Sequence, residues 1–204
     1  MRGKTMRKNK FRISFNAPAV LGFTALCLIA QILNLITAGG SNRAIFSVYR
    51  ASLLDPLTWI RCFAHVAGHV DWSHLIGNMM YILILGPMLE EKYGTRNLIW
   101  VMVITAGVTG LLNMLLFPDI RLLGASGIVF AMIVLASITV KDNDAIPLTF
   151  ILVVALYLGQ QIYEGLFTKD NVSQLAHIAG GVMGAVLGYL LNRGGTRTRY
   201  GYRR

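Results

Sequence analysis

The sequence predicts an all-α fold, a polytopic membrane helical bundle of six transmembrane helices. Three observations carry this. Hydrophobic residues make up 55 % of the 204 residues and charged residues only 14 %, where a soluble domain averages about 25 % charged. Mean hydropathy is +0.58. Apolar stretches recur close to the length of about 20 residues that crosses a hydrocarbon layer about 30 Å thick, without β-barrel periodicity, so backbone hydrogen bonds close within helices.

The elements follow in order. Residues 1–16 form a basic tail with six Lys and Arg in its first 12 positions. The apolar run 17–37 is 21 residues long; a signal peptide has a shorter core and a small-residue cleavage site, so this run reads as a retained span. The remaining spans are 73–89, 98–117, 123–140, 145–163 and 174–191. The second and fourth are short, as a helix embedded among others can be. Residues 38–72 form the one long loop, carrying Trp59, Phe63 and several aliphatic side chains. A structureless segment of that length is uncommon in a compact bundle, so it is expected to fold back onto the bundle at the membrane surface. The membrane domain is then 17–192, and a second basic tail, 193–204, holds five arginines.

Six spans place both termini on one side. That side would carry 14 of the 19 Lys and Arg, and the outer loops five: Arg43, Arg50, Arg61, Arg121 and Lys169. The bias puts the termini in the cytoplasm, an arrangement that suits a bacterial inner membrane. The net charge of +10 thus belongs to the tails and not to one basic face of a soluble fold, which argues against a nucleic-acid partner. The lipid bilayer is the expected surrounding; oligomeric state is not legible. Cys27 and Cys62 form no CxxC pair or disulfide framework and read as small buried apolar groups.

Ionisable and polar groups inside a bundle are costly and tend to be functional. At 1.5 Å per residue, Ser126 lies about 22 Å from the inner marker Lys141, His177 about 24 Å from Arg193, His74 about 24 Å from Glu90, and Asn78 about 18 Å. These four side chains therefore share one depth, below the outer surface and above the midplane. Gly124 and Gly127 flank Ser126, allowing a sharp turn and close helix approach. A serine at a helix N-terminus faces free backbone N–H groups, which favour a developing oxyanion; a small-residue packing face with an incidental serine is the other reading. Gly180, Gly184 and Gly188 strip one face of the last span, so a neighbour can pack close and bring His177 toward Ser126; plain glycine packing is again the alternative. His74 and Asn78, four residues apart, share a helix face and can both donate to an oxyanion, or simply join helices. His65, His69 and His74 have a spacing that could hold a metal, but HExxH is absent and the reading leaves Ser126 and His177 unused. No metal or cofactor is expected; His65 and His69 are expected to anchor the first loop. Asp71 is given no role.

The set resembles the rhomboid family of intramembrane serine proteases, from about Arg61 to Leu191. The GxSG motif appears as Gly124-Ala125-Ser126-Gly127, AHxxG as Ala176-His177-Ile178-Ala179-Gly180, HxxxN as His74 and Asn78, and GxxxExxxG as Gly86, Glu90 and Gly94. Arg61 matches the arginine of a first-loop WR motif, with Trp59 displaced by one. Phe130 stands where family members often have a tyrosine four residues after the nucleophile.

The resemblance implies a rhomboid-like bundle and an intramembrane serine endopeptidase. Ser126 would be nucleophile and His177 base in a dyad working through an acyl-enzyme, on transmembrane protein substrates. His74, Asn78 and the Ser126 backbone N–H would stabilise the oxyanion. Structural support would come from His65, His69, Arg61, Glu90, Phe130, Gly124, Gly127, Gly180 and Gly184. The active site would face the extracytoplasmic side. The alternative is a proteolytically inactive rhomboid-like protein that binds transmembrane clients; loss of Ser126 or His177 would be its signature, and both are present. A transporter would show midplane sites and repeats, and neither is evident.

Overall fold

The structure, a computed structural model, describes residues 15–117, 119–138, 148, 151–156, 159 and 171–193. Its helices are α1 (Pro18–Ile36), α2 (Gly40–Ala44), α3 (Pro56–Ala64) with a following 3-10 turn (His65–Ala67), α4 (Trp72–Tyr93), α5 (Thr95–Leu116), α6 (Ser126–Ile138) and α7 (Asn171–Arg193). The chain is thus an all-α, polytopic bundle. Where the sequence predicts six spans, four helices among the described residues are long and apolar enough to cross a membrane: α1, α4, α5 and α7. At 13 residues, α6 is shorter. It is shielded from lipid, because Ile128, Val129, Ala131, Met132, Val134 and Leu135 are all buried. The expected span 145–163 lies largely outside the described residues; within it, 148, 151–156 and 159 are helical.

The outside of the bundle is apolar. Ile29, Ile32 and Ile36 on α1, Ile76, Met80 and Ile84 on α4, and Val182, Val186 and Tyr189 on α7 are exposed. A contiguous apolar surface of this kind is unsuited to water and belongs to an integral multi-pass membrane protein.

The α4–α5 hairpin explains three residues spaced by four. A Cβ at Gly86 would stand 2.5 Å from Val20 Cγ2, so the bare glycine admits α1 against α4. One turn on, the buried Glu90 carboxylate accepts from the backbone N–H groups of Ala19 (3.0 Å) and Val20 (3.1 Å) and from Thr95 Oγ1 (2.7 Å). Those two N–H groups lie in the first turn of α1 and have no partner inside the helix; a negative charge is stabilised there by the helix dipole. Another turn on, Gly94 has φ +82°, a left-handed conformation that favours glycine, and it reverses the chain directly into α5.

Packing of α6 on α7 is backbone against backbone. A Cβ at Gly180 would strike the carbonyl of Gly127, and one at Gly184 the carbonyl of Ala131. At Gly188 it would meet Leu135 Cδ1 at 2.9 Å. The four-residue glycine spacing is what lets the two helices close to this distance.

The first loop is ordered by polar contacts. Asp55 caps α3 by accepting from the Leu57 N–H at 3.0 Å, ahead of Pro56 at the first helical position, a common start. Arg61 donates from Nε to the Ala44 carbonyl at 2.8 Å, lies 3.7 Å from the Asp55 carboxylate and sits 4.8 Å above the Tyr49 ring. Asn113 donates to the carbonyls of Val48 (3.1 Å) and Ile120 (3.0 Å). Val48 and Leu122 exchange both backbone hydrogen bonds, at 2.9 and 3.0 Å, so the loop is tied to the segment leading into α6. His65 makes a second tie: Nδ1 meets the Cys62 carbonyl at 3.0 Å, Nε2 meets Thr109 Oγ1 at 3.3 Å, and its carbonyl accepts from Gly124 N–H at 3.0 Å. Burial holds the His65 pKa down at about 4. At His69, burial and then the neighbouring His74 do the same, again to about 4.

Four outcomes are expected. Gly184→Leu must part α6 from α7 and should cost about 1–3 kcal/mol of unfolding free energy in detergent. Gly77→Ala, with nothing within 4 Å of the added carbon, should cost nothing. Glu90→Ala leaves a buried and a part-buried N–H group unpaired and should cost about 3 kcal/mol, with Glu90→Gln milder. For His65 the unfolded chain binds the proton more tightly, since its pKa falls from 6.5 to about 4 on folding. The stability it contributes is therefore full above pH 6.5 and declines toward pH 4, by about 3 kcal/mol. Unfolding free energy measured against pH should show that decline in the wild type and a shallower one in His65→Gln.

Candidate functional site: a polar-ended cavity between α4, α6 and α7

The cavity occupies about 580 Å³. Its walls come from α4, α6, α7 and helical residues 151–156. Apolar lining comes from Leu122, Val129, Ile133, Val153 and Leu156. Polar lining comes from Ser73, His74, Asn78, Ser126 and His177, with the Tyr81 ring beside them. Among the described residues, no carboxylate lines it.

Local structure places each polar group. Asp71 caps α4, accepting from the His74 N–H at 2.8 Å, and so fixes the turn on which His74 stands. This role was absent from the sequence expectation, although an aspartate just ahead of an apolar helix is a recognisable cap. His74 packs edge-on against the buried His69 ring, with centroids 5.1 Å apart. Gly124 passes beneath it: φ there is +127°, and a Cβ would come within 2.8 Å of His74 Cε1. The loop can therefore approach only as glycine. Asn78 follows one turn after His74 and is 7 % exposed; its Nδ2 has no hydrogen-bond partner. Ser126 begins α6, and Phe130, one turn on, lies with its ring centroid 4.5 Å from that of His177.

Ser126, His177, His74 and Asn78 therefore share one cavity, with Phe130 between α6 and α7. Gly127, Gly180 and Gly184 form the contact behind it, and His65, His69, Arg61 and Glu90 lie outside it in the loop and hairpin contacts described above. Among the described residues, His65 Nε2 is engaged by Thr109, and no group of three His, Cys, Asp or Glu gathers to hold a metal.

The expected Ser–His dyad requires correction. Among the described hydrogen bonds, the hydroxyl–imidazole contact is Thr109 Oγ1 to His65 Nε2, and none joins Ser126 to His177. A serine hydroxyl is a weak nucleophile until a base takes its proton within hydrogen-bond reach. The described contacts do not include that step, and the reading as an intramembrane serine endopeptidase is withdrawn. Thr109, Asn113 and Arg50, which donates to the Met114 and Leu115 carbonyls at 2.8 and 2.5 Å, are structural residues missed in the sequence. Their signal is a polar side chain placed where partners must be internal.

Comparison with known proteins agrees with the architecture. The family model described as "Rhomboid domain" matches residues 56–194. "Rhomboid-like protein 11, chloroplastic" of Arabidopsis thaliana is 25 % identical over 150 residues, 66 % of this chain and 53 % of that protein. "Rhomboid-related protein 2" of Mus musculus is 32 % identical over 159 residues, 67 % of this chain and 52 % of that protein. "Rhomboid protease GlpG" of Haemophilus influenzae is 26 % identical over 140 residues, 67 % of this chain and 71 % of that protein. The chain thus spans about half the length of the first two. With α3 to α7 inside the matched region, the chain belongs to the rhomboid family and is related to the bacterial GlpG rhomboid proteases.

Proposed function

We propose that this chain is a proteolytically inactive rhomboid-family membrane protein that receives transmembrane segments of client proteins in the cavity between α4, α6 and α7. The observation that carries the reading is a largely apolar cavity with a cluster of polar groups at its lining, while the hydroxyl–imidazole hydrogen bond described in the bundle is the one from Thr109 to His65. Val129, Ile133, Val153 and Leu156 suit the apolar side chains of a client helix. His74, Ser126, His177 and the unpartnered Asn78 amide suit backbone carbonyls where that helix frays or kinks. Such carbonyls lack water within the bilayer and need donors from protein. In this role Arg61, His65, His69 and Glu90 support the loop and hairpin that border the cavity, and Phe130, Gly124, Gly127, Gly180 and Gly184 set its walls.

The domain plan belongs to the same reading: a membrane domain over 17–192 with six spans, the loop 38–72 and the cavity mouth on the extracytoplasmic side, and both basic tails in the cytoplasm of a bacterium. The Lys and Arg bias supports it.

The test is photocrosslinking in proteoliposomes, with benzoylphenylalanine at position 133 and a panel of single-span clients. Crosslinking that survives Ser126→Ala within twofold, weakens about fivefold in Asn78→Leu for one lost hydrogen bond of about 1 kcal/mol, and leaves the client intact would support the reading. Client fragments that accumulate with wild type and vanish with Ser126→Ala would overturn it.

A further inference from the structure

A second groove runs along the seam of α1 and α5. It holds about 380 Å³, and every described residue lining it is apolar, including Gly22 and Leu26 from α1, Ile99 and Val103 from α5, and Phe63 from α3. Leu26, Phe63, Ile99 and Val103 are 39–48 % exposed, so the groove opens sideways to the membrane. Its depth depends on Gly22: nothing stands within 4 Å of where a Cβ would be. From Pro18 to Leu26 the lining follows α1 for about 12 Å at 1.5 Å per residue. An apolar strip of this length, open to the membrane, suits an extended hydrocarbon chain.

A cation stands on α5 ahead of the groove-lining residues. Arg96 is exposed and precedes Ile99 by three residues and Val103 by seven, so all three share one face of α5. Helical side chains lean toward the N-terminus, which carries the guanidinium past the groove mouth, toward the α4–α5 turn. Glu90, the acid buried at that turn, is already engaged by the Ala19 and Val20 N–H groups and by Thr95. Arg96 takes part in no described ion pair.

We infer that the α1–α5 groove is a binding site for one anionic phospholipid, with an acyl chain laid over Gly22 and the headgroup phosphate on Arg96. Basic positions at the ends of seams between transmembrane helices recognise acidic headgroups, and each cation near the surface contributes about 1 kcal/mol, or about fivefold. A zwitterionic lipid offers the same chain, but its ammonium offsets the phosphate. The inference does not rest on client binding in the other cavity.

The experiment is native mass spectrometry of the full chain, delipidated in detergent and titrated with dioleoyl phosphatidylglycerol or dioleoyl phosphatidylcholine. One phosphatidylglycerol should bind first, at about fivefold lower concentration than phosphatidylcholine. Arg96→Gln should erase that preference and leave phosphatidylcholine binding unchanged. Gly22→Phe should fill the groove and weaken both lipids at least tenfold, with Val103→Phe as the second filling variant should the first fail to fold. Glycerol 3-phosphate should not compete, because the chain and not the phosphate alone is held. Equal binding of the two lipids, an unchanged preference in Arg96→Gln, competition by glycerol 3-phosphate, or wild-type affinity in a folded filling variant would overturn the site.

Discussion

The contact of α6 with α7, carbonyl against bare glycine, sets the geometry on which the main cavity depends. Gly180 faces the Gly127 carbonyl and Gly184 the Ala131 carbonyl, with no side chain between. A gap this small fixes the rotation and height of α7 relative to α6. It therefore fixes where His177 stands relative to Ser126 and Phe130. In lipid no hydrophobic effect draws helices together, and association rests on van der Waals contact and hydrogen bonds. Loss of the glycine face would remove much of that contact and alter the cavity wall at the same time.

A second constraint acts on everything else: a polar group held away from water must find its partner in protein. Glu90 answers it for the first turn of α1, Asn113 for the Val48 and Ile120 carbonyls, Arg50 for the end of α5, and Arg61 for the Ala44 carbonyl. These bonds are long-range in sequence, so each also fastens two elements. The first loop is consequently part of the framework. Its bridge from Val48 to Leu122, and the bond from Gly124 N–H to the His65 carbonyl, hold the chain that delivers Ser126 to the head of α6.

Much of this is legible in the sequence because it follows from composition and spacing. The reading of 17–37 falls on Pro18–Ile36, and that of 98–117 on Thr95–Leu116, since apolar length is a direct signature of a span. The reading of 123–140 begins too early: Gly124, at φ +127°, is a turn whose tight packing against His74 hydropathy cannot register. The GxxxExxxG spacing is visible as a pattern, yet its physical content, one glycine for approach, a carboxylate for a helix end and one glycine for reversal, appears only when α1 is set beside α4. Hydrogen-bond partners are the least legible part. Nothing in the spacing of His65 and Thr109, 44 residues apart, announces that they meet.

The same distinction separates a motif from a mechanism. Placing a hydroxyl and an imidazole at one depth requires only helix length and register, which the sequence encodes coarsely. Transferring a proton between them takes a hydrogen bond at about 2.6–3.2 Å or one bridging water, a finer requirement than shared depth. Among the described residues Ser126 and His177 line one cavity, and the hydroxyl–imidazole hydrogen bond is the one between Thr109 and the buried His65, where it braces the loop. A polar cluster presents donors inside a bilayer whether or not it transfers protons. That is a property a frayed transmembrane helix can use, and it follows from the cavity's lining without any step of bond cleavage.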